Sequence, residues 1–450
     1  MLTRSNSAAE LVDLQGGIIS REIFVNDEIY QQEQERIFAR AWLFIGHESL
    51  IPNRGDFFTT SMGEESVILT RDASGRVHVF LNTCRHRGMK VCRYDEGNTL
   101  FFSCPYHGWT YGTDGQLAGV PYFTERYHER LDKSQWGLIE VAQIANYKGS
   151  IWATWDSEAP PFLDYLGGMH VYLDILLDCR DGREGGSEVI GGVQSWSIPC
   201  NWKFGPENFV GDAYHAVSHR SVDTVGIAPG GGQGRADAES RSAVRYSVSF
   251  PELGHGTNTS VQLDENEPYN PIFENLPHLQ EYLKQAYEER RRRLGKLATL
   301  FGGAGTVFPN MTFQPRQPRS IAVWNPRGPH KTEARRFYLV DRDAPQELKD
   351  LMRYYLIRGL GPGGMTEQDD MENWNYASAA SRGVIARRHP YNYQLGLDSR
   401  ADVDFPTGLV DNIPSEQNQR GYYRRWAELM DAESWNDLYP KNPSAKRNGR

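Results

Sequence analysis

Two short clamps stand out by residue type and spacing: Cys84 with His86 in "CRHRG", and Cys104 with His107 in "CPYHGW". Two thiols and two imidazoles can hold zinc or iron, and zinc fingers usually group their cysteines in one clamp and their histidines in the other. Here each clamp contributes one of each. That distribution suits a Rieske [2Fe–2S] centre, in which two cysteines hold one iron and two histidines hold the other. A structural zinc site and four unrelated residues are the alternatives; the Gly and Pro flanking the clamps in a hairpin context weigh against coincidence. Cys92, between the clamps and without a paired histidine, reads as a small buried hydrophobe. Trp109 is a candidate shield for the cluster, with a plain core tryptophan as the other reading.

A second set lies in "NWKFGPENFVGDAYHAVSHRS". His215 and His219 are four apart, which on an α-helix puts both imidazoles on one face. Alone the pair is a weak signal. Asp212 precedes His215 by three on the same face, and "GMTEQDDMENW" offers a later carboxylate. Two histidines and one carboxylate form the facial triad of non-haem Fe(II) oxygenases, with positions left open for O2 and substrate.

The elements that must position these groups are of two kinds. From Trp42 to about Asp156 the chain runs in short β-type segments, with hairpins in "SVILTRDASGRVHVFLN" and "TYGTDGQLAG". Beyond "DSEAPPFLDYLGG" the pattern is mixed. "LPHLQEYLKQAYEERRRRLGKL" predicts a helix with apolar residues at Leu279, Leu283, Ala286 and Tyr287, and with Arg290 to Arg293 on a solvated face. "RSIAVWNP" and "EARRFYLVDRD" predict neighbouring antiparallel strands, and Gly-rich "GIAPGGGQGRADAESRS" predicts a surface loop and lid. The fold class is α+β: a small all-β [2Fe–2S] domain over 41–157 and a larger catalytic domain over 158–450, built on an antiparallel sheet with helices. Residues 1–40 form an N-terminal segment packing on the catalytic domain.

A length of 450 residues suits two domains, and a net charge of -9 argues against nucleic acid or an anionic membrane as the main partner. No run approaches the roughly 18 apolar residues of a membrane span, and the N-terminus lacks an apolar signal core, so a cytoplasmic location is expected. Five scattered cysteines do not make a disulfide framework.

The chain resembles the large (α) subunits of Rieske non-haem iron aromatic-ring-hydroxylating dioxygenases of the naphthalene and biphenyl dioxygenase kind. The likeness covers almost the whole length, from "ERIFARAWLFIGHESLIPNRGDF" through both clamps and "NWKFGPENFVGDAYH" to "TVFPN", "GPGGMTEQDDMENW" and "RGYYRRW". It implies cluster ligation by Cys84, His86, Cys104 and His107, and iron ligation by His215, His219 and Asp370. It implies that Asp212 links an iron-ligating histidine to a cluster-ligating one across a subunit boundary. Asn208 falls beside the iron, and Phe209, Leu360 and Thr366 fall in the substrate pocket, with Phe308 a weaker candidate. One departure is "HAVSH", with three residues between the histidines where such relatives usually place four or more. That bears on the local helix geometry and on the position of His219.

The resemblance further implies cis-dihydroxylation of an aromatic, polycyclic hydrocarbon by O2 in a ring of three α subunits, usually with three small β subunits. A ferredoxin and an NAD(P)H-dependent reductase would deliver the electrons, since "GGGQGR" lacks the strand-to-helix context of a dinucleotide site. Monooxygenation, dioxygenation of an aromatic carboxylate, and electron transfer with a degenerate iron site are the rival readings. The apolar or small pocket positions favour a neutral substrate; Arg220, expected to be solvated or at a subunit interface, is the counter-candidate for binding an acid.

Overall fold

The computed structural model describes residues 7–439, apart from 14, 179–185, 226–242, 263–274, 302 and 316–318. The Gly-rich segment read as a lid and Cys179 lie outside the described residues. The chain divides into two compact units, one contiguous over Phe38–Ala159 and one combining Met1–Ile37 with Pro160–Arg450.

The contiguous unit is made of small antiparallel sheets. Four strands are ordered Val77–Leu81, Glu65–Arg71, Asp56–Met62 and Glu96–Asn98. The β-branched run "SVIL" suits the buried middle of that sheet. Its hairpin is turned by Asp72, whose Oδ1 accepts from Ser74 Oγ at 2.7 Å and from the Arg76 N–H at 2.8 Å. A second sheet runs Leu117–Gly119, Thr110–Gly112, Phe101–Ser103, and a third Gln143–Tyr147, Ser150–Thr154, Leu43–His47.

In the discontinuous unit, a sheet with ten strands among the described residues carries the fold. Its main path is Ser187–Val189, Thr332–Asp341, Arg319–Pro326, Met311–Gln314, Gly305–Val307, His255–Gln262, Ala243–Phe250 and Leu409–Asn412. The two strands expected to be neighbours pair antiparallel from Arg319 opposite Leu339 to Pro326 opposite Thr332. Every residue of Arg319–Pro326 is buried.

Helices Pro277–Leu294, Gln346–Gly359, Met365–Ser381 and Gln417–Asp431 belong to the same unit. The first of them corrects one expectation, because the arginine run splits. Arg292 is exposed, but Arg290 turns inward to donate to the Ile175 carbonyl at 2.5 Å, and Arg293 lies 3.4 Å from Asp178.

The N-terminal segment is locked into this unit by one buried carboxylate. Glu33, on helix Asp27–Glu33, receives Lys203 Nζ at 2.5 Å, Trp202 Nε1 at 2.8 Å and Trp426 Nε1 at 2.7 Å. All four side chains are fully buried. Among the described residues, no helix is long and apolar enough to cross a membrane.

Candidate active site

Each clamp is a loop closed in the same way. The Cys84 N–H donates to the Met89 carbonyl at 2.8 Å and the Gly88 N–H returns to the Cys84 carbonyl at 2.9 Å; Cys104 pairs with Trp109 at 2.7 Å and Gly108 with Cys104 at 2.9 Å. Gly88 and Gly108 both take positive φ, 72° and 75°, which a side chain would strain. The loops bring the His86 and His107 rings to 4.6 Å, and Trp109 stacks on His86 at 5.1 Å with planes 7° apart. Cys84 and Cys104 are buried free thiols, and His86 Nδ1 is buried with no hydrogen-bond partner. Burial, then the His107 and Arg87 charges, push the His86 pKa down, favouring the neutral imidazole a metal needs. Two thiols, two imidazoles and an orphaned ring nitrogen fit a [2Fe–2S] cluster. Tyr111 adds a hydroxyl 3.3 Å from Cys84 Sγ. Cys92 is buried too, its thiol directed at the Tyr94 carbonyl.

In the other unit, His215 and His219 lie on a 3-10 helix, Tyr214–His219, rather than the α-helix their spacing predicts. The tighter turn does not separate them. His215 Nε2 and His219 Nε2 are 3.1 Å apart, and Asp370 Oδ1 lies 3.5 Å from the first and 3.3 Å from the second. Edges of this length suit three donors on one face of an ion with bonds of about 2.1 Å. The donor set therefore fits a divalent metal, and the shortened "HAVSH" still converges on Asp370.

The outer ring nitrogens each face a carboxylate. His215 Nδ1 is 3.3 Å from Asp212 Oδ2, while Asp212 Oδ1 accepts the Tyr214 and His215 N–H groups at 2.9 and 3.3 Å. Burial pushes the Asp212 carboxyl up, but the hydrogen bonds and charge of His215 and the backbone donors outweigh it, and the net shift is downward. His219 Nδ1 is 3.4 Å from Asp369 Oδ2, which also accepts from Ser221 Oγ at 2.8 Å. Sequence reading missed this pair because its partners are 150 residues apart.

Helix Phe204–Phe209 places Asn208 and Phe209. The Asn208 carbonyl accepts the Asp212 N–H at 3.1 Å, and the buried Phe209 ring packs on Trp324 at 5.7 Å. Leu360 follows helix Gln346–Gly359, its carbonyl 3.4 Å from the Tyr338 hydroxyl, and the Thr366 hydroxyl donates to the Gly359 carbonyl. The Phe308 ring packs on Tyr422 at 5.2 Å, and its carbonyl accepts from the Tyr165 hydroxyl at 2.6 Å.

Two family descriptions match the chain: a Rieske [2Fe-2S] domain over residues 41–144, and the catalytic domain of ring hydroxylating alpha subunits over residues 170–432. The chain belongs to the ring-hydroxylating α subunits. This α subunit is 40% identical over 445 residues to biphenyl 2,3-dioxygenase subunit alpha of Rhodococcus jostii (strain RHA1), covering 97% of this chain and 94% of that protein. It is 38% identical over 444 residues to benzene 1,2-dioxygenase subunit alpha of Pseudomonas putida, covering 97% and 96%. Its fold matches naphthalene 1,2-dioxygenase from Rhodococcus sp. bound to indole with a TM-score of 0.83 and 35% identity, over 96% of this chain and 100% of that one. The α subunit is thus a Rieske non-haem iron dioxygenase, with a [2Fe–2S] domain and a catalytic domain of the class that uses mononuclear iron.

Beside Asn208 in the α subunit sits Glu207, a residue the sequence reading passed over. Its carboxylate accepts from the Tyr393 hydroxyl at 2.8 Å and from the Tyr423 hydroxyl. Burial pushes its pKa up to about 7, against the hydrogen bonds of the two tyrosines. A carboxyl raised in the folded state costs nothing below its ordinary range and most above its folded pKa. The wild-type protein should therefore lose stability between about pH 4.5 and 7, by about 2 kcal/mol once solvent screening is allowed for. Glu207→Gln should lack that loss. Thermal midpoints at pH 5.5 and 8.5 check this, and a parallel fall in both proteins would refute it.

Proposed function

We propose that this α subunit is the terminal oxygenase for a neutral, flat, multi-ring arene, which it converts with O2, two electrons and two protons to a vicinal cis-diol. What carries the reading is the convergence of His215, His219 and Asp370 to within 3.5 Å, with Phe209 following on the same stretch as Asn208 and Asp212. When bound, the cluster supplies single electrons and the mononuclear iron supplies dioxygen activation. Cys84, His86, Cys104 and His107 hold the cluster; His215, His219 and Asp370 hold the iron. Asp212 orients His215, and Asp369 with Ser221 orients His219, each fixing which ring nitrogen faces the metal. Phe209, Leu360 and Thr366 form apolar or small walls that exclude water and admit aromatic rings. Arg220 is exposed, and the guanidinium over the Phe209 ring, that of Arg336, is engaged by Glu367. Neither cation is thus offered to a substrate carboxylate, and burying one unpaired would cost several kcal/mol.

Electrons come from a ferredoxin and an NAD(P)H-dependent reductase, and the assembly is a ring of three α subunits, with or without small β subunits, in the cytoplasm. Asp212, with Oδ2 3.3 Å from His215 Nδ1 on one side, is the bridge to a cluster ligand of the neighbouring α subunit. Asp212→Asn keeps the shape but weakens the charge-assisted bond, so both metals should remain and cluster re-oxidation should slow by about 10–100-fold. Single-turnover absorbance with substrate and O2 measures it, and a wild-type rate removes Asp212 from the electron path.

The substrate reading is tested with a panel under labelled O2. Two labelled oxygens in a diol from naphthalene, biphenyl or phenanthrene support it. Turnover of phthalate or benzoate alone overturns it, and a singly labelled phenol assigns monooxygenation.

A further inference from the structure

A buried ion pair lies outside both metal-ligand sets. Arg336, on strand Thr332–Asp341, donates from Nη2 to both carboxylate oxygens of Glu367 at 2.8 and 2.6 Å, and from Nη1 to Ser320 Oγ at 3.1 Å. The side chains are 1% and 0% exposed. The Arg336 guanidinium stands 5.5 Å from the centre of the Phe209 ring, and its Nε is buried with no hydrogen-bond partner. Glu367 opens helix Met365–Ser381 three residues before Asp370, and its Oε2 is 3.4 Å from the Gly361 nitrogen. One pair thus touches the Phe209 ring, the residue after Leu360, and the first turn that carries Thr366 and leads to Asp370.

Replacing both partners of a buried ion pair by apolar residues is often neutral or stabilising, so stability alone is a weak reason for such a pair. Its specific property is geometric: Nη2 reaches both carboxylate oxygens while Nη1 holds Ser320, so the guanidinium is tied to the helix carboxylate and to its own sheet at once. Here that contact joins the sheet to the helix bearing a proposed iron ligand, 5.5 Å from the ring of a proposed pocket wall.

We propose that Arg336 and Glu367 are positioning residues that hold Phe209, Leu360 and Thr366 in register with Asp370, and so determine which edge of the arene faces the iron. The inference rests on the pocket reading given above. Shifting either side of the pair rotates the substrate relative to the reacting centre rather than weakening the metal site.

The test is the double variant Arg336→Met, Glu367→Met, which removes both charges together and leaves neither orphaned. Chemically reduced protein in single turnover is compared with wild type for iron content, thermal midpoint, diol regioisomer ratio and diol formed per cluster oxidised. Iron content and midpoint close to wild type are expected, with the regioisomer ratio changed at least about fivefold and diol yield at least halved. Wild-type regiochemistry and yield in the folded, iron-replete double variant overturn the proposal. If that variant does not fold, Arg336→Lys decides by the same ratio, since it keeps the charge and loses the guanidinium arm that ties Glu367 to Ser320; an unchanged ratio there is equally fatal. Wild-type turnover of acids alone would remove the neutral-arene reading, whereas a regiochemistry indifferent to these variants removes the pair's role whatever the substrate.

Discussion

Asp370→Ala is expected to abolish turnover, by at least about 10³-fold, while the visible absorption of the cluster stays as in wild type. Asp370 Oδ1 is the one carboxylate oxygen within 3.5 Å of both His215 Nε2 and His219 Nε2 among the described residues. Asp369 is turned the other way, toward His219 Nδ1 and Ser221. Alanine at 370 leaves two donors on a tight 3-10 turn, too few for a facial site. Iron analysis of anaerobically purified protein should fall from about three to about two per chain, because only the mononuclear ion is lost. Retained activity would move the ligand role to Asp369 or dismiss the triad.

The reciprocal result is expected for Cys104→Ala: the visible absorption disappears, turnover is lost, and iron falls to about one per chain. The four proposed cluster ligands lie in the contiguous Phe38–Ala159 unit and the proposed triad in the other, so the two sets have no residue in common. Within the clamp, the Cys104 backbone bonds to Trp109 and Gly108 do not need the thiol. The loop can persist while the cluster cannot, and the buried His86 Nδ1 is then left without a ligand role. Loss of colour together with all iron would mean that the two sites depend on each other. Colour retained would dismiss Cys104 as a ligand.

The [2Fe–2S] domain was legible because residue type and spacing along one short stretch point to a metal site whatever surrounds it, and the Rieske match over residues 41–144 agrees. Local hairpins were legible for the same reason, as with Asp72 and Gly75, since the turn chemistry is written in adjacent residues. His215 and His219 were found on the assumption of an α-helix; the 3-10 turn escaped because its geometry depends on Asp212 binding the Tyr214 and His215 N–H groups. Contacts between distant residues escaped altogether. Arg290 reads as part of a charged, solvated run until the Ile175 carbonyl is seen to receive it, and nothing local to Arg336 points to Glu367. The ring of Phe308 follows the packing around Tyr422, which no local pattern encodes.

The closure of Glu33 by Lys203, Trp202 and Trp426 sets an order on biosynthesis. Residues 38–159 form a continuous unit that can fold once they have left the ribosome, whereas Glu33 waits for Trp426, near the other end of the chain, before its last indole bond can form. At about 5–20 residues per second that interval lasts tens of seconds. During it the cysteine clamps can already take up iron and sulfide, while Glu33 still lacks the tryptophan that completes its enclosure.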